Sequence, residues 1–578
     1  MRFRTTLFLA FALALLSLAY YLLELKGAQE KAKAKLVSFE EQEVTGLRIR
    51  RREKAITLSK GGRGWRMSQP VEDWGDEQEI AALLGNLTRA KIERTLNAKG
   101  GNLADFGLQE PPIILTVHLK DKERPLVLEV GNTNPAGFSV YARRKGEEEI
   151  LLAPATLKTS LEKEPFAFRS KVPLLFEQDA VKAVSLHTGP LRLRLERQEK
   201  GGWRITEPIQ VKADSGKVAD LLRSLTQDQV KAFLDKPPKN LKSLGLDPPR
   251  GAIRLTLEDR AEATLLLGQV QKREGGVYAR RKGEERVLVL REEFDKELPK
   301  RVANLRDRTL LALDRGKVEQ IEIESPKGRT LLSKVEGTWR MKEPEEALAD
   351  QRLVEDLLWD LSGARVKEFV TDQAKSLKPY GLQDPSVTIR LLGKEGRPVT
   401  SLALNRAEKR EGAYVRVADG QAVYLVEARL YEQLEKGPFD LRFRQVLSFE
   451  TWEVGRVELV RDGTTILLEK RRDRWQLRKP KEAPAKYSAV ADLLRETRKL
   501  KWQKLIAKAP ADLDRYGLNK PAVTLTLTKA DGKSIGTLLL GKAEGDLVYA
   551  KMQERPEIYA VPLTFLKSLP KDPSPLLE

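Results

Sequence analysis

The chain has 578 residues, 41% of them apolar and 33% charged, with 104 Lys and Arg against 84 Asp and Glu for a formal net charge of +20. That length exceeds a single hydrophobic core and suits about four domains of ordinary size, and the apolar share excludes a wholly disordered chain. The absence of cysteine excludes disulfides, thiolate metal sites and a cysteine nucleophile.

Residues 1–6 carry Arg2 and Arg4, and residues 7–25 hold an apolar run from Leu7 to Leu23 that contains Tyr20 and Tyr21. At the helical rise this run covers about 26 to 28 Å, enough to cross a hydrocarbon core. The basic start predicts a cytoplasmic amino end, and the Tyr pair an interfacial belt on the far side. The expectation is a single-pass protein of the cytoplasmic (inner) membrane with the bulk of the chain extracytoplasmic. Ser17-Leu18-Ala19 offers a cleaved signal peptide as the alternative, and the continuation of the apolar run past it favours a retained anchor. Residues 26–35, rich in Ala and Lys, read as a stalk.

From there one pattern is written four times. Trp65, Trp203, Trp339 and Trp475, like Gly107, Gly245, Gly381 and Gly517, are spaced by 138, 136 and 136 residues. Each copy opens with alternating strands such as Val181–Leu186 and Leu191–Glu196, a period-two hairpin leading to the Trp. The Gly-rich run 61–64 ahead of Trp65 lacks a following Lys-Ser/Thr and reads as a turn between strands, not a phosphate loop. Ile80, Leu83, Leu84 and Leu87 then form a helical stripe that recurs at 218–225 and 354–361. Asp76, Asp214 and Asp350 are placed to cap that helix, with Glu79 completing a capping box. The fourth copy has Lys486 there, with Ser488 as a substitute cap.

Next come Phe106-Gly107-Leu108, Leu244-Gly245-Leu246, Tyr380-Gly381-Leu382 and Tyr516-Gly517-Leu518, each with a Pro four residues after the Gly, the components of a Schellman-type stop. The strand pair beyond ends in Gly131, Gly268 or Gly541, with Asn405 in the third copy, which predicts a left-handed turn there. The recurring pairs Tyr141 and Arg143, Tyr278 and Arg280, Tyr414 and Arg416, and Tyr549 and Lys551 share a strand face. An aromatic beside a cation suits sugars or anions, and equally a Tyr packed at a sheet edge beside a snorkelling Arg; these eight residues are the candidate ligand or partner contacts. The junction cations Arg169, Arg306 and Arg442, followed by Lys171, Arg308 and Arg444, are expected to tie neighbouring copies together. Sequential hairpins with two or three helices per copy predict an α+β class: four tandem domains at 36–171, 172–308, 309–444 and 445–578, each an antiparallel-rich sheet, stacked as an elongated array.

This combination of a leading membrane segment, Trp475-Gln-Leu-Arg-Lys-Pro480, an Asp-capped Leu-Leu helix, Tyr516-Gly-Leu-Asn-Lys-Pro521 and Val-Tyr-Ala-Arg resembles the bacterial DUF4340 family from about Val37 to the carboxyl end. Leu244, Asn405 and Lys486 depart from the pattern locally. The resemblance implies an envelope protein encoded beside ABC-type exporters of the gliding-motility kind, and it brings no catalytic residues.

Only His118 and His187 occur, which argues against a zinc site or a Ser-His triad, and no acid pair recurs between copies. No cofactor, metal or catalytic residue is expected, and no nucleic acid, since no recognisable binding fold accompanies the basic charge. The expected function is a non-enzymatic, membrane-anchored scaffold or adaptor working with ABC-type transport proteins or an envelope assembly. The alternative is a binding module for an anionic envelope polymer or lipid, to which the net charge is suited.

Overall fold

The computed structural model describes residues 35–62, 64–97, 102–271 and 275–578. The expected anchor at 7–25 and nearly all of the stalk lie outside them. Among the described residues no helix is long and apolar enough to cross a membrane.

In the first copy the alternating residues form β1 (Val44–Arg51), β2 (Lys54–Gly61) and β3 (Gly64–Gln69), followed by the two-residue β4 (Asp73–Trp74). Helix α1 (Glu77–Arg89) leads to β5 (Arg94–Asn97), β6 (Ile113–Leu119), β7 (Leu126–Thr133), β8 (Ser139–Arg144), β9 (Glu149–Pro154) and α2 (Ala155–Leu161). These strands make one antiparallel sheet of order β4-β3-β2-β1-β6-β7-β8-β9-β5, and the same order recurs in three more nine-stranded sheets. Among the described residues the four domains carry two, two, three and two α-helices, as an α+β class requires.

Alternation decides which face is dry. Leu47, Ile49, Leu115 and Val117 are buried from the central strands, and the stripe Ile80, Leu83, Leu84 and Leu87 of α1 joins the same core, each such side chain contributing about 1.5–3 kcal/mol. Four separate cores draw on residues 36–168, 174–305, 310–441 and 446–576. The chain divides into two compact units, one ending at Asp307 and one starting at Arg308, each holding two sheets.

Asp76, Asp214 and Asp350 cap their helices, accepting from the N–H groups of Glu79, of Gly216 and Lys217, and of Leu353. The reciprocal half of the capping box is not made, because the Glu79 carboxylate pairs with Lys163. Lys486 makes no cap bond, and Ser488 does not replace it: it lies inside the helix Tyr487–Lys499, past the position from which a hydroxyl reaches the free N–H groups. The backbone N–H of Asp76, Asp214, Asp350 and Lys486 donates to the carbonyl of Phe168, Leu305, Leu441 and Leu576, so the end of each copy returns to its own helix start. This return places the junction cations.

Gly107, Gly245, Gly381 and Gly517 are left-handed, with φ of 67°, 66°, 66° and 69°, and the following Leu closes the Schellman bond, as in Leu108 N to Leu103 O at 2.9 Å. The expected left-handed turn at Gly131, Gly268 and Gly541 is corrected. These glycines lie within continuous strands, and a Cβ on them would stand 2.2, 2.3 and 2.1 Å from the carbonyl oxygens of Phe106, Leu244 and Tyr516. Close approach of the Gly-Leu loop, and not backbone handedness, excludes a side chain there. In the third copy the Asn405 side chain lies against Gly381 and accepts from the Ser386 hydroxyl at 2.8 Å.

Candidate functional site

The four Tyr-cation pairs lie on the sheet face turned away from the α1-type helix, since their neighbours Val140 and Ala142, and the equivalents, are the buried core residues. Each Tyr meets the Gly-Leu loop. Tyr141 packs edge-on against Phe106 at 4.9 Å, Tyr414 against Tyr380 at 5.3 Å and Tyr549 against Tyr516 at 5.0 Å. Tyr278 joins an apolar cluster with Leu244 and Leu246, and its hydroxyl accepts from Gln271 Nε2 at 2.5 Å. The Tyr549 hydroxyl donates to Glu544, and that bond raises its pKa above the ordinary value, with burial adding to it.

The cations differ. Arg143 is spent on Glu129, directly across the strand pair, with Nε and Nη2 at 2.9 and 2.6 Å. Lys551 donates to the carbonyls of Met552, Gln553 and Arg555. Arg280 and Arg416 face Leu266 and Ala403 instead of a carboxylate, and their Nε atoms are buried without a hydrogen-bond partner. The tyrosines thus fasten a loop to a sheet face, and the cations take no part in it. His118 is exposed on β6, and among the described residues no group of three metal-ligating side chains is found.

The junctions carry the denser chemistry. Arg169 forms an antiparallel bridge to Gly75, and the residue is 5% exposed. Its Nε donates to Asp73 at 2.7 Å, and its two Nη atoms grip Asp235 of the next domain at 2.9 and 2.7 Å. The guanidinium lies over the Phe233 ring at 3.6 Å. Asp73, 3% exposed, also pairs with Arg286 of the second domain. A bidentate, ring-stacked arginine between two carboxylates makes a specific lock. Lys171 adds a bond to Asp76 at 2.5 Å.

In the second unit Arg442 holds the equivalent place, bridged to Ala349. It pairs with Glu345, which also accepts from Lys508 at 3.2 Å, and these cations, Lys508 first, hold the Glu345 carboxyl below the ordinary carboxylate value. Arg442 lies 5.3 Å from the Trp502 ring, which stacks on Tyr559 at 5.5 Å and meets Phe439 edge-on at 5.8 Å. Beside them opens a cleft of about 530 Å³ lined by Pro344, Glu345, Phe439, Arg442, Trp502 and Leu505 among others. The sequence pointed to Arg169 and Arg442 as ties between neighbours, and both do bridge domains. It did not reveal Asp73, Asp235, Arg286, Glu345 or Trp502, which occupy positions that change from copy to copy.

No curated protein matches the chain. Among solved structures, the DNA polymerase III subunit beta from Pseudomonas aeruginosa is similar at 10% identity over 67% of this chain and 92% of that one, with a TM-score of 0.13, too low to carry any argument. The family described as "Domain of unknown function (DUF4340)" matches residues 65–202, 203–338, 339–494 and 475–578. The first two matches run from the Trp of one sheet through the opening hairpin of the next, so the family's repeat is out of phase with the folded sheets. With four matches tiling the chain from Trp65 to its last residue, this protein belongs to the DUF4340 family.

Proposed function

We propose that the chain is a non-enzymatic, membrane-anchored extracytoplasmic scaffold or adaptor, an auxiliary partner of an ABC-type transport or gliding-type envelope system. The observation that carries this reading is repetition combined with locking. One sheet is built four times, and within each unit a junction arginine fastens neighbouring sheets, Arg169 to Asp235 and Arg442 over Trp502. Such pairs offer a partner a preset surface wider than one domain. The apolar run 7–25 behind Arg2 and Arg4 supports the anchor, and the family resemblance supports the transporter setting.

The net charge of +20 favours a second reading, a binding module for an anionic envelope polymer or lipid. Affinity capture from gently solubilised membranes, followed by a salt wash, separates the two. The adaptor retains a permease or ATPase through the wash. Release of everything by salt, leaving lipid or polysaccharide as the only companion, contradicts it.

A further inference from the structure

One corner of the fold changes sign in the last copy. The turn ahead of each Trp meets the start of the following helix there: in the fourth copy the Ala485 N–H donates to the Trp475 carbonyl at 3.0 Å, which sets Arg474 beside Lys486 and Tyr487. Counted from the Trp and from the helix start, the same seven positions are 60–64 with 76–77, 198–202 with 214–215, 334–338 with 350–351, and 470–474 with 486–487. The first set holds Lys60 and Arg63 against Asp76 and Glu77, a net charge of zero. The second holds Lys200 against Glu199 and Asp214, and the third Lys334 against Glu336 and Asp350, a net charge of −1 each. The fourth holds Lys470, Arg471, Arg472, Arg474 and Lys486 against Asp473 alone, a net charge of +4.

Local stability argues against this choice of residues. A cation at the helix start opposes the dipole and forgoes the cap bond that Asp76, Asp214 and Asp350 make. The fold does not answer the added charge. Lys470 pairs with Asp473 at 3.3 Å, and Arg471 lies 3.9 Å from Glu469, which Arg478 already holds at 3.2 Å. Among the described residues, the side chains of Arg472, Arg474, Lys486 and Tyr487 make no hydrogen bond, ion pair or ring contact, and Glu578, which reaches Pro484, forms no ion pair with the three cations. In the third copy the residue that opens the helix, Gln351, ties back to the N–H and carbonyl of Trp339 at 2.7 and 2.8 Å, whereas its counterpart Tyr487 stands 61% exposed. A local rule broken with no compensation inside the fold is the mark of a surface kept for a partner.

We propose that this corner of the fourth domain docks on an anionic lipid surface. Its cations meet lipid phosphates, and the Tyr487 ring settles at the headgroup level, where an amphipathic aromatic is favoured. A soluble acidic polymer would use the cations alone; the exposed ring among them adds the contact that a headgroup layer offers. The inference rests on the proposed anchor only for the chain's nearness to a membrane.

The chain has no cysteine, so Ser488→Cys, at an exposed position beside Tyr487, gives a single site for an environment-sensitive fluorophore. Ser215→Cys gives the matching exposed site at the same corner of the second domain. The full chain, held in phosphatidylcholine nanodiscs, is mixed with vesicles of phosphatidylcholine with or without phosphatidylglycerol, and co-flotation and emission are read. A chain that stays out of the discs speaks against the anchor, and its vesicle binding is still measured. Vesicles containing phosphatidylglycerol are expected to carry the chain and to shift the emission of the label at 488 but not at 215. Lys486→Asp, which restores the residue of the other three copies, should weaken this binding about tenfold or more. The same variant should raise the thermal transition of the fourth domain, so the loss is not one of folding. Absence of binding to phosphatidylglycerol vesicles, an equal shift at 215, or binding unchanged by Lys486→Asp overturns the proposal. A shift at 488 produced by soluble polyglutamate and not by the vesicles overturns it as well, in favour of an acidic polymer.

Discussion

Asp73 shows what one residue does at a junction. It is buried between Arg169 and Arg286, and removing one member of a buried pair strands the others, at a cost of about 3–5 kcal/mol. Asp73→Ala should therefore lower the urea midpoint of the transition belonging to residues up to 307 and leave that of residues 308–578 in place. The sequence hid this residue because its counterparts are Val211, Ala347 and Ala483; comparing the copies brings out what recurs, and a lock made once does not recur. Glu345 gives a pH effect of defined sign. Lys508 and then Arg442 depress its folded pKa from 4.5, so its contribution is present above that value and is lost as pH falls through the lower folded one. Replacing Glu345 by Gln should flatten the acid limb of the stability profile of residues 308–578, and an unchanged limb would refute the assignment.

At the scale of elements, the helix stripes and the three Asp caps were legible because both depend on local spacing, while the capping box at Glu79 and the substitute cap at Ser488 were expected and are not made. The stripe at 80–87 and the Asp caps read directly. The missing cap at Lys486 makes a prediction in the favourable direction: Lys486→Asp, at an exposed position, should stabilise the fourth domain by about 1 kcal/mol in thermal unfolding through a new cap and the helix dipole. Gly541→Ala should do the opposite. Its Cβ would lie 2.1 Å from the Tyr516 carbonyl oxygen, and displacing the loop should cost about 1–3 kcal/mol. The handedness expected of that glycine was mistaken because the carbonyl that excludes the side chain comes from a loop more than twenty residues earlier in sequence. For the same reason the pairing of β5 with β9 and the two-residue β4 were not legible: each is fixed by a partner distant in sequence or by a single turn of chain.

For the whole molecule the period of the repeats was enough to count the domains, because four copies of one fold leave four copies of its punctuation. The junctions were only half legible. Their arginines recur, while the groups that answer them have diverged, from Phe233 and Asp235 in one unit to Trp502 and Glu345 in the other. Under the proposed scaffold reading, what repeats holds the fold constant, and partner-specific surfaces would fall where the copies differ. The central claim is that the chain presents these domains to a protein partner from an anchored position. Its most direct test is crosslinking in the intact membrane with the full chain and with a chain lacking residues 1–35, whose folded domains are checked by thermal unfolding. The account predicts a transporter permease or ATPase crosslinked to the full chain and lost with the deletion. Crosslinks to lipid or polysaccharide alone, or a partner recovered equally by both chains, would contradict it.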